Sequence, residues 1–302
     1  MPRRLARDEP RTRIVTGPGA RIRRMVRSDM DFAKRITDIE GWGFERGDFQ
    51  RLLTLTPRGS FIACAAGRRV GLLTTVCQGD TCWIGNVVVA PPLRGTGIGR
   101  KLVVASMDYY RDRGIRKIGL ISRANTVHFY ENLGFEKGHL ITGLGGVPKR
   151  PRAFRPVKGV VPISKGLLPD VIRLDEEAGG VDRGRMLTSF SRDFQTHFLV
   201  SVEHGEVEGF IVGKPGTTGL DVGPWISTGG YREAARELFF SLVARWRGPV
   251  EIYVPQQKGW AISFLGRAGL ERVNHFYEMT RGWRRRRSLK TEVLAPAGLE
   301  KG

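Results

Sequence analysis

Past the first twenty residues, apolar positions along the chain switch between a period of two and a period of three to four. "ARIRRM" alternates as a short strand does. "DMDFAKRITDIEGWGF" then sets Phe32, Ile36 and Ile39 at helical spacing behind a cap at Ser28 or Asp29. "DFQRLLTLTPRG" predicts a second short helix closed by Pro57 and Gly59. "SFIACAAG", "RVGLLTTVCQG" and "TCWIGNVVVA" are three strands, with turns at Gly-Arg-Arg and at Gly79-Asp80. A helix follows with Ile98, Leu102, Ala105 and Tyr109 on one face, ended by Gly114. "IRKIGLIS", "NTVHFYENLG" and "FEKGHLITG" complete the series as strand, helix and strand.

The order then repeats. "GGVPKRPRAFRPVKG" breaks periodicity with Pro, Gly and basic residues and marks a boundary. Beyond it come a strand ("VVPISKG"), two helices ("LLPDVIRLDEEAGG", "DRGRMLTSFSRD"), a hairpin turning at His204-Gly205 and a third strand, "TGLDVGPWIS". A strong helix with Ala234, Leu238 and Leu242 in register, the strand "PVEIYVP", the helix "GWAISFLGRAG" and the strand "LERVNHFYEMTRG" close the second half. The chain therefore reads as an internal duplication. Residues 1–18 are expected to be a basic flexible arm, 19–147 a first domain, 148–158 a basic linker, 159–283 a divergent second domain and 284–302 a basic flexible tail.

The densest chemistry lies at "NVVVAPPLRGTGIGRKL". A P-loop requires Gly-Lys-Ser or Gly-Lys-Thr, but Gly99 is followed by Arg100, Lys101 and Leu102. A dinucleotide fingerprint requires Gly-x-Gly-x-x-Gly, whereas Gly95, Gly97 and Gly99 fall on alternate positions. What remains is Arg94-Gly95-Thr96-Gly97-Ile98-Gly99 at a strand-to-helix junction. There the free N–H groups of a helix start, the helix dipole and the glycines together suit a pyrophosphate, with Arg94 and Arg100 adding charge.

This loop, with "FYENLGF" about thirty residues on, resembles the GNAT (Gcn5-related N-acetyltransferase) family over roughly residues 20–145. Further stretches resemble a subgroup that joins such a domain to a divergent GNAT-like one: Leu174-Asp175, Gly223-Pro224-Trp225 and "HFYEMTRG" stand at that subgroup's places. The implied fold is α/β (α+β): tandem GNAT folds, each a mixed, mostly antiparallel twisted sheet flanked by helices. The implied activity is acetyl-CoA-dependent transfer of an acetyl group to a primary amine by direct attack. The second half lacks the Arg-x-x-Gly-x-Gly loop; Gly229 and Gly230 offer only a permissive helix start.

Under this resemblance the strand around Val87, Val88 and Val89 offers a backbone N–H to the thioester oxygen, and Tyr130 protonates the leaving thiolate. A core tyrosine has the same sequence signature. "TCWIGNVVV" carries no carboxylate, so the family's usual strand-borne base is missing. Glu40 and Glu45, flanking Gly41-Trp42-Gly43, are the candidate bases, or surface carboxylates beside a helix end. Trp42, Trp83 and Asn86 are the candidate substrate-lining residues. Trp83 and Asn86 are an odd number apart and so are expected on opposite faces of their strand.

Composition narrows the remaining classes. The 302 residues, 40% of them hydrophobic, suffice for two cores. No apolar run approaches bilayer length and the start "MPRRLARDEPRTR" has no apolar h-region, so a cytoplasmic protein without a membrane is expected. Cys64, Cys77 and Cys82 are read as reduced, and no metal-ligand spacing is present. The formal charge of +20 is concentrated at the edges: Arg3, Arg4, Arg7, Arg11 and Arg13, then Lys149 to Lys158, then Arg284 to Arg287. That distribution suits nonspecific attraction to nucleic acid or an acidic partner. A basic binding protein on a GNAT scaffold is therefore the alternative to an enzyme that takes a small-molecule or peptide amine, as a monomer or homodimer.

Overall fold

A computed structural model of the chain describes residues 19–150, 159–228, 232–282 and 291–299. In the first half, strand β1 (Arg21–Arg24) leads to helices α1 (Met30–Asp38) and α2 (Arg46–Leu55), then β2 (Phe61–Ala65), β3 (Arg68–Gln78) and β4 (Thr81–Val89). Helix α3 (Ile98–Arg111), β5 (Lys117–Arg123), α4 (Val127–Glu131) and β6 (Glu136–Gly146) complete it. The second half repeats the order with β7 (Val160–Pro162), α5 (Leu168–Gly179), α6 (Gly184–Asp193), β8 (Phe198–Glu203), β9 (Glu206–Pro215) and β10 (Leu220–Thr228). Next come α7 (Arg232–Val243), β11 (Val250–Pro255), α8 (Gly259–Arg267) and β12 (Glu271–Arg281). A strand absent from the sequence reading, β13 (Thr291–Ala295), is the last described element.

Local chemistry sets several of these boundaries. Helix α2 begins where the Asp48 carboxylate accepts the Glu45 N–H at 2.9 Å, which satisfies an otherwise orphaned donor. Helix α5 stops at Gly180, left-handed at φ 66°, a conformation a side chain resists. The buried stripe of α1 is Met30, Ala33, Ile36 and Thr37; the helix ends at Asp38, so Ile39, expected on that stripe, is left 57% exposed. In α3 the buried positions are Ile98, Leu102, Val103, Ser106 and Tyr110, which moves the expected face from Ala105 and Tyr109 by one residue.

The two halves share one sheet. Its order is β1-β2-β3-β4-β5-β12-β6-β11-β10-β9-β8-β7, with β13 paired to β10. The last strand of the second half, β12, thus lies between β5 and β6 of the first, and β6 pairs with β11. On one face, α1, α2, α5 and α6 bury a common core that joins Ile36, Phe49 and Leu52 to Leu174, Phe190 and Phe210. The other face carries two separate cores. One, under α3 and α4, holds Ile98, Leu102 and Tyr130; the other, under α7 and α8, holds Leu238, Phe239 and Leu265.

Two expectations change here. Cys77 and Cys82 are disulfide-bonded, with Cα atoms 4.0 Å apart, and only Cys64 is a free thiol. Cys77 and Cys82 stand directly opposite each other in the β3–β4 register, one pair in from the Gly79-Asp80 turn. Residues 291–299, read as part of a flexible tail, instead carry β13, in which Leu294 and Ala295 are fully buried. The arm 1–18, linker residues 151–158, the rest of the tail and Gly229 with Gly230 lie outside the described residues.

Candidate active site

The site begins where β4 and β5 part. β4 pairs with β5 only from Thr81–Lys117 to Ile84–Leu120, although both strands run further. On its other side β4 stays paired with β3 as far as Val89, through a bulge that sets two residues of β4 opposite Leu73. Asn86 sits in that bulge with φ 50°. Ala90 donates its N–H to Val70 of β3 at 2.8 Å, so alternation turns the backbone groups of Val87 and Val89 toward the open side. The result is a wedge between β4 and β5, with unpaired strand edge along one wall.

The bulge also overturns the facing expected for Trp83 and Asn86. The Trp83 ring lies over Gly119, where a Cβ would stand 2.9 Å from it, on the sheet face covered by α1 and α2. The Asn86 amide donates to Thr74 Oγ1 at 3.0 Å, and Thr74 shares its face with Leu72 and Val76 of the α1–α2 core. The extra residue shifts the alternation, so both side chains stand on one face.

At the mouth of the wedge, Gly95 and Gly97 are left-handed, at φ 77° and 85°, and a Cβ at either would meet no atom within 4 Å. Helix α3 starts at Ile98, and its first hydrogen bond runs from Lys101 N–H to Gly97 C=O at 3.1 Å. The N–H groups of Ile98, Gly99 and Arg100 therefore have no acceptor within the helix. Thr96 turns its hydroxyl inward to Leu93 C=O at 2.7 Å, and Arg100 reaches Asn132 C=O at 3.5 Å. Arg94 is turned elsewhere: Nε donates to Val89 C=O at 3.1 Å and Nη2 pairs with the Glu40 carboxylate.

On the α3–α4 face, Tyr130 is 8% exposed and sits edge-on to Phe129 and Phe135, at 4.9 and 5.9 Å between ring centroids. Among the described residues no protein group hydrogen-bonds its hydroxyl. Burial pushes its phenol well above the ordinary tyrosine range. His128, by contrast, is exposed and lies 3.7 Å from Glu131.

The α1–α2 loop roofs the opposite face. Trp42 is half-buried against the common core, and Glu45 caps α2 with its carboxylate 3.9 Å from Lys34 Nζ. Neither Glu40 nor Glu45 is an unpaired carboxylate. Gly43 abuts the β9–β10 turn, where Thr217 Oγ1 reaches its carbonyl at 3.5 Å, so the second half contributes to the same rim. On this same sheet face, one strand beyond β5, stands Glu278 of β12, which sequence reading missed; its Oε2 would lie 3.3 Å from a Cβ at Gly138 of β6. It pairs in register with Ile121 of β5, while its neighbour Met279 turns into the α3–α4 core. A separate cavity lined by Leu55, Val76, Gln78, Arg183 and Met186 contains none of these residues.

The corresponding wedge of the second half is filled. β10 pairs with β11 only over Leu220–Val222, then breaks at Gly223 and the cis Gly223-Pro224 bond, and from Trp225 to Thr228 it pairs antiparallel with β13. Two of the subgroup residues quoted above, Trp225 and Asp175, are structural here. Trp225 is fully buried among Phe239, Trp260 and Phe264, and Asp175 forms a buried ion pair with Arg183 at 2.6 Å.

Residues 26–135 match the sequence profile of the acetyltransferase (GNAT) family, and residues 171–295 match that of an acetyltransferase (GNAT) domain. The chain belongs to the GNAT acetyltransferase family. This tandem GNAT chain is 31% identical over 150 residues to the mycothiol acetyltransferase of Rhodococcus opacus, covering 43% of the chain and 49% of that protein. It is 37% identical over 73 residues to the N-alpha-acetyltransferase 80 of Mus musculus, covering 24% of the chain and 23% of that protein. The match thus spans half or less of each of these curated relatives. In fold it resembles a putative acetyltransferase from Pyrococcus horikoshii, with TM-score 0.79, 20% identity and 98% and 100% of the two chains covered. It also resembles a tandem GNAT protein from the clavulanic acid biosynthesis pathway, with TM-score 0.61, 15% identity and 89% and 100% covered.

Proposed function

We propose that the chain is an acetyl-CoA-dependent N-acetyltransferase whose active site lies in the first half. The observation that carries this reading is the open wedge: past Ile84 the β4 edge has no strand partner on this side, with the Val89 carbonyl taken only by Arg94 Nε, and it continues into a loop where Gly95 and Gly97 leave room no side chain fills. A pyrophosphate suits the free N–H groups at the start of α3, and an extended amide-bearing arm suits the unpaired edge. Bound acetyl-CoA supplies an activated thioester carbonyl.

The chain's residues then divide the work. An N–H on the Val87–Val89 edge stabilises negative charge as it develops on the thioester oxygen. Tyr130, kept protonated by burial, gives its proton to the leaving thiolate. The acceptor amine approaches from the face of Trp83, Asn86 and Trp42, where Glu278 takes up the proton it sheds. Glu40 serves as the partner that orients Arg94, and Glu45 as a helix cap. The acceptor class is a small-molecule or peptide primary amine.

Calorimetric titration of acetyl-CoA, paired with thiol-detected CoA release on a panel of glucosamine, lysine and a peptide with a free N-terminus, tests the reading. Binding with amine-dependent release is expected. The absence of any heat or thermal shift with acetyl-CoA would sink it.

A further inference from the structure

The two halves treat the same wedge differently. In the first, β4 pairs with β5 over Thr81–Ile84, is distorted at Asn86 and then runs unpaired on that side. In the second, β10 pairs with β11 over Leu220–Val222, is distorted at Gly223 and then pairs with β13: Trp225 with Ala295, Ile226 with Val293, Ser227 with Glu292 and Thr228 with Thr291. The edge that has no strand partner at Val87 and Val89 is thus paired in the second half by the chain's own strand.

This insertion is tied in from three directions. Leu294 and Ala295 are fully buried in the core under α7 and α8, while Ala297 is fully buried in the core shared by α1, α2, α5 and α6. The segment therefore spans the sheet from face to face. Lys214, 6% exposed, donates to the Ala297 carbonyl and pairs with Asp221 at 2.8 Å, so a buried cation clamps the backbone just past the strand. Gly223, at φ 151°, lies so close to Pro296 that a Cβ there would stand 2.0 Å from its carbonyl oxygen. A side chain at this position and the inserted segment exclude each other.

We infer that the C-terminal strand closes the second half's wedge to acyl-CoA in cis, so that each chain takes one acetyl-CoA, in the first half. The count of one rests on the proposed function, whereas the closure rests on strand pairing alone. The second half then acts as a scaffold: it lends β12 to the first half's sheet and the β9–β10 turn to its rim.

Hydrogen exchange on the full chain, with and without saturating acetyl-CoA, reads both parts. Amides in 225–228 and 293–295 are expected to be protected without ligand and unchanged with it, while 86–99 gain protection at a calorimetric stoichiometry of one. A stoichiometry of two, or acetyl-CoA-induced exposure of 293–295, overturns the inference. Zero binding with 293–295 still protected removes the proposed function and leaves the closure standing. In the oxidised double variant Ile226→Cys/Val293→Cys, a cross-strand bond is expected to form and leave acetyl-CoA affinity within about twofold of wild type. Loss of binding on oxidation, with the fold intact by circular dichroism, shows that the strand must leave for ligand and overturns the closure.

Discussion

Arg94 Nη2 pairs with the Glu40 carboxylate, tying the end of α1 to the loop that precedes α3. The two residues come from motifs with separate roles in the sequence, one beside the pyrophosphate and one a candidate base. In the proposed reaction their pairing gives Glu40 a positioning role. Arg94 is 49% exposed, so the pair contributes little by itself, about 0–1 kcal/mol. Glu40→Gln is therefore expected to raise the acetyl-CoA Kd by no more than about fivefold and to leave kcat within a similar factor. A fall in kcat of two orders of magnitude at saturating acetyl-CoA would return Glu40 to the role of base.

Gly97 is where loop geometry and ligand space coincide. Its φ of 85° is strained for any other residue, at a cost of about 1–2 kcal/mol, yet a Cβ there meets no protein atom. Gly97→Ala is expected to lower Tm slightly and weaken acetyl-CoA binding more than tenfold, because the added carbon occupies the ligand's place. Gly97→Glu is expected to abolish binding. A Gly97→Glu chain that folds and binds acetyl-CoA normally in calorimetry would remove this loop from the site.

How much of this was legible in the sequence depends on the range of the interaction involved. Periodicity and turn residues identify the repeated element order because each element is set within its own ten residues. The glycine loop around Gly95 and Gly97 is legible for the same reason. The Cys77–Cys82 bond was within reach: the Gly79-Asp80 turn sets those residues opposite each other, but counting cysteines ignores register. The facing of Asn86 was not, since one bulge residue inverts all alternation after it. β13 and the placement of β12 depend on partners far along the chain. "TEVLA" follows a run of arginines that reads as tail, and nothing local says that Trp225 to Thr228 needs a neighbour. Glu278 was missed on the same ground, because only the insertion of β12 beside β5 brings it to the sheet face proposed for the acceptor.

Tyr130 offers a separation of chemistry from stability. Its hydroxyl has no protein partner among the described residues, and its ring packs edge-on to Phe129 and Phe135. Tyr130→Phe keeps the ring, so Tm and the acetyl-CoA Kd are expected to stay at wild-type values. Loss of the proton donor is expected to lower kcat by about 10²–10⁴-fold. Because burial raises the phenol, the wild-type rate should show no loss of this acid up to about pH 10, the ordinary tyrosine range. Unchanged turnover in the phenylalanine variant would make Tyr130 a core residue.

In the proposed reaction Glu278 is the acceptor-side counterpart. β4 carries no carboxylate, Glu40 is held by Arg94 and Glu45 caps α2, whereas Glu278 shares a sheet face with Ile121, one strand beyond β5. Glu278→Gln preserves shape and removes the charge. It is expected to reduce kcat/KM for the amine on the order of 10²-fold without altering acetyl-CoA binding. An unchanged kcat/KM on an amine the wild type acetylates would exclude it.

Asp29 sets an acid limit on stability far from the chemistry. It is fully buried and held by Arg23 at 2.7 and 2.8 Å, Arg69 at 2.7 Å and the Val26 N–H at 2.9 Å. Burial alone would raise its carboxyl, but the hydrogen bonds from Arg23 and Val26 and the nearby guanidinium charges outweigh it and hold the pKa below the usual range. A depressed folded pKa means that the unfolded chain takes up this proton first. The stabilisation is thus complete above the unfolded value of about 3.9 and is lost as pH falls toward the folded one. Asp29→Asn keeps the shape but loses the charge-assisted bonds, and is expected to cost about 1.5–3 kcal/mol at pH 7 by urea denaturation. Its difference from wild type should shrink below about pH 4. A difference that stayed constant through the acid range would show that the charge of Asp29 is not what stabilises the fold.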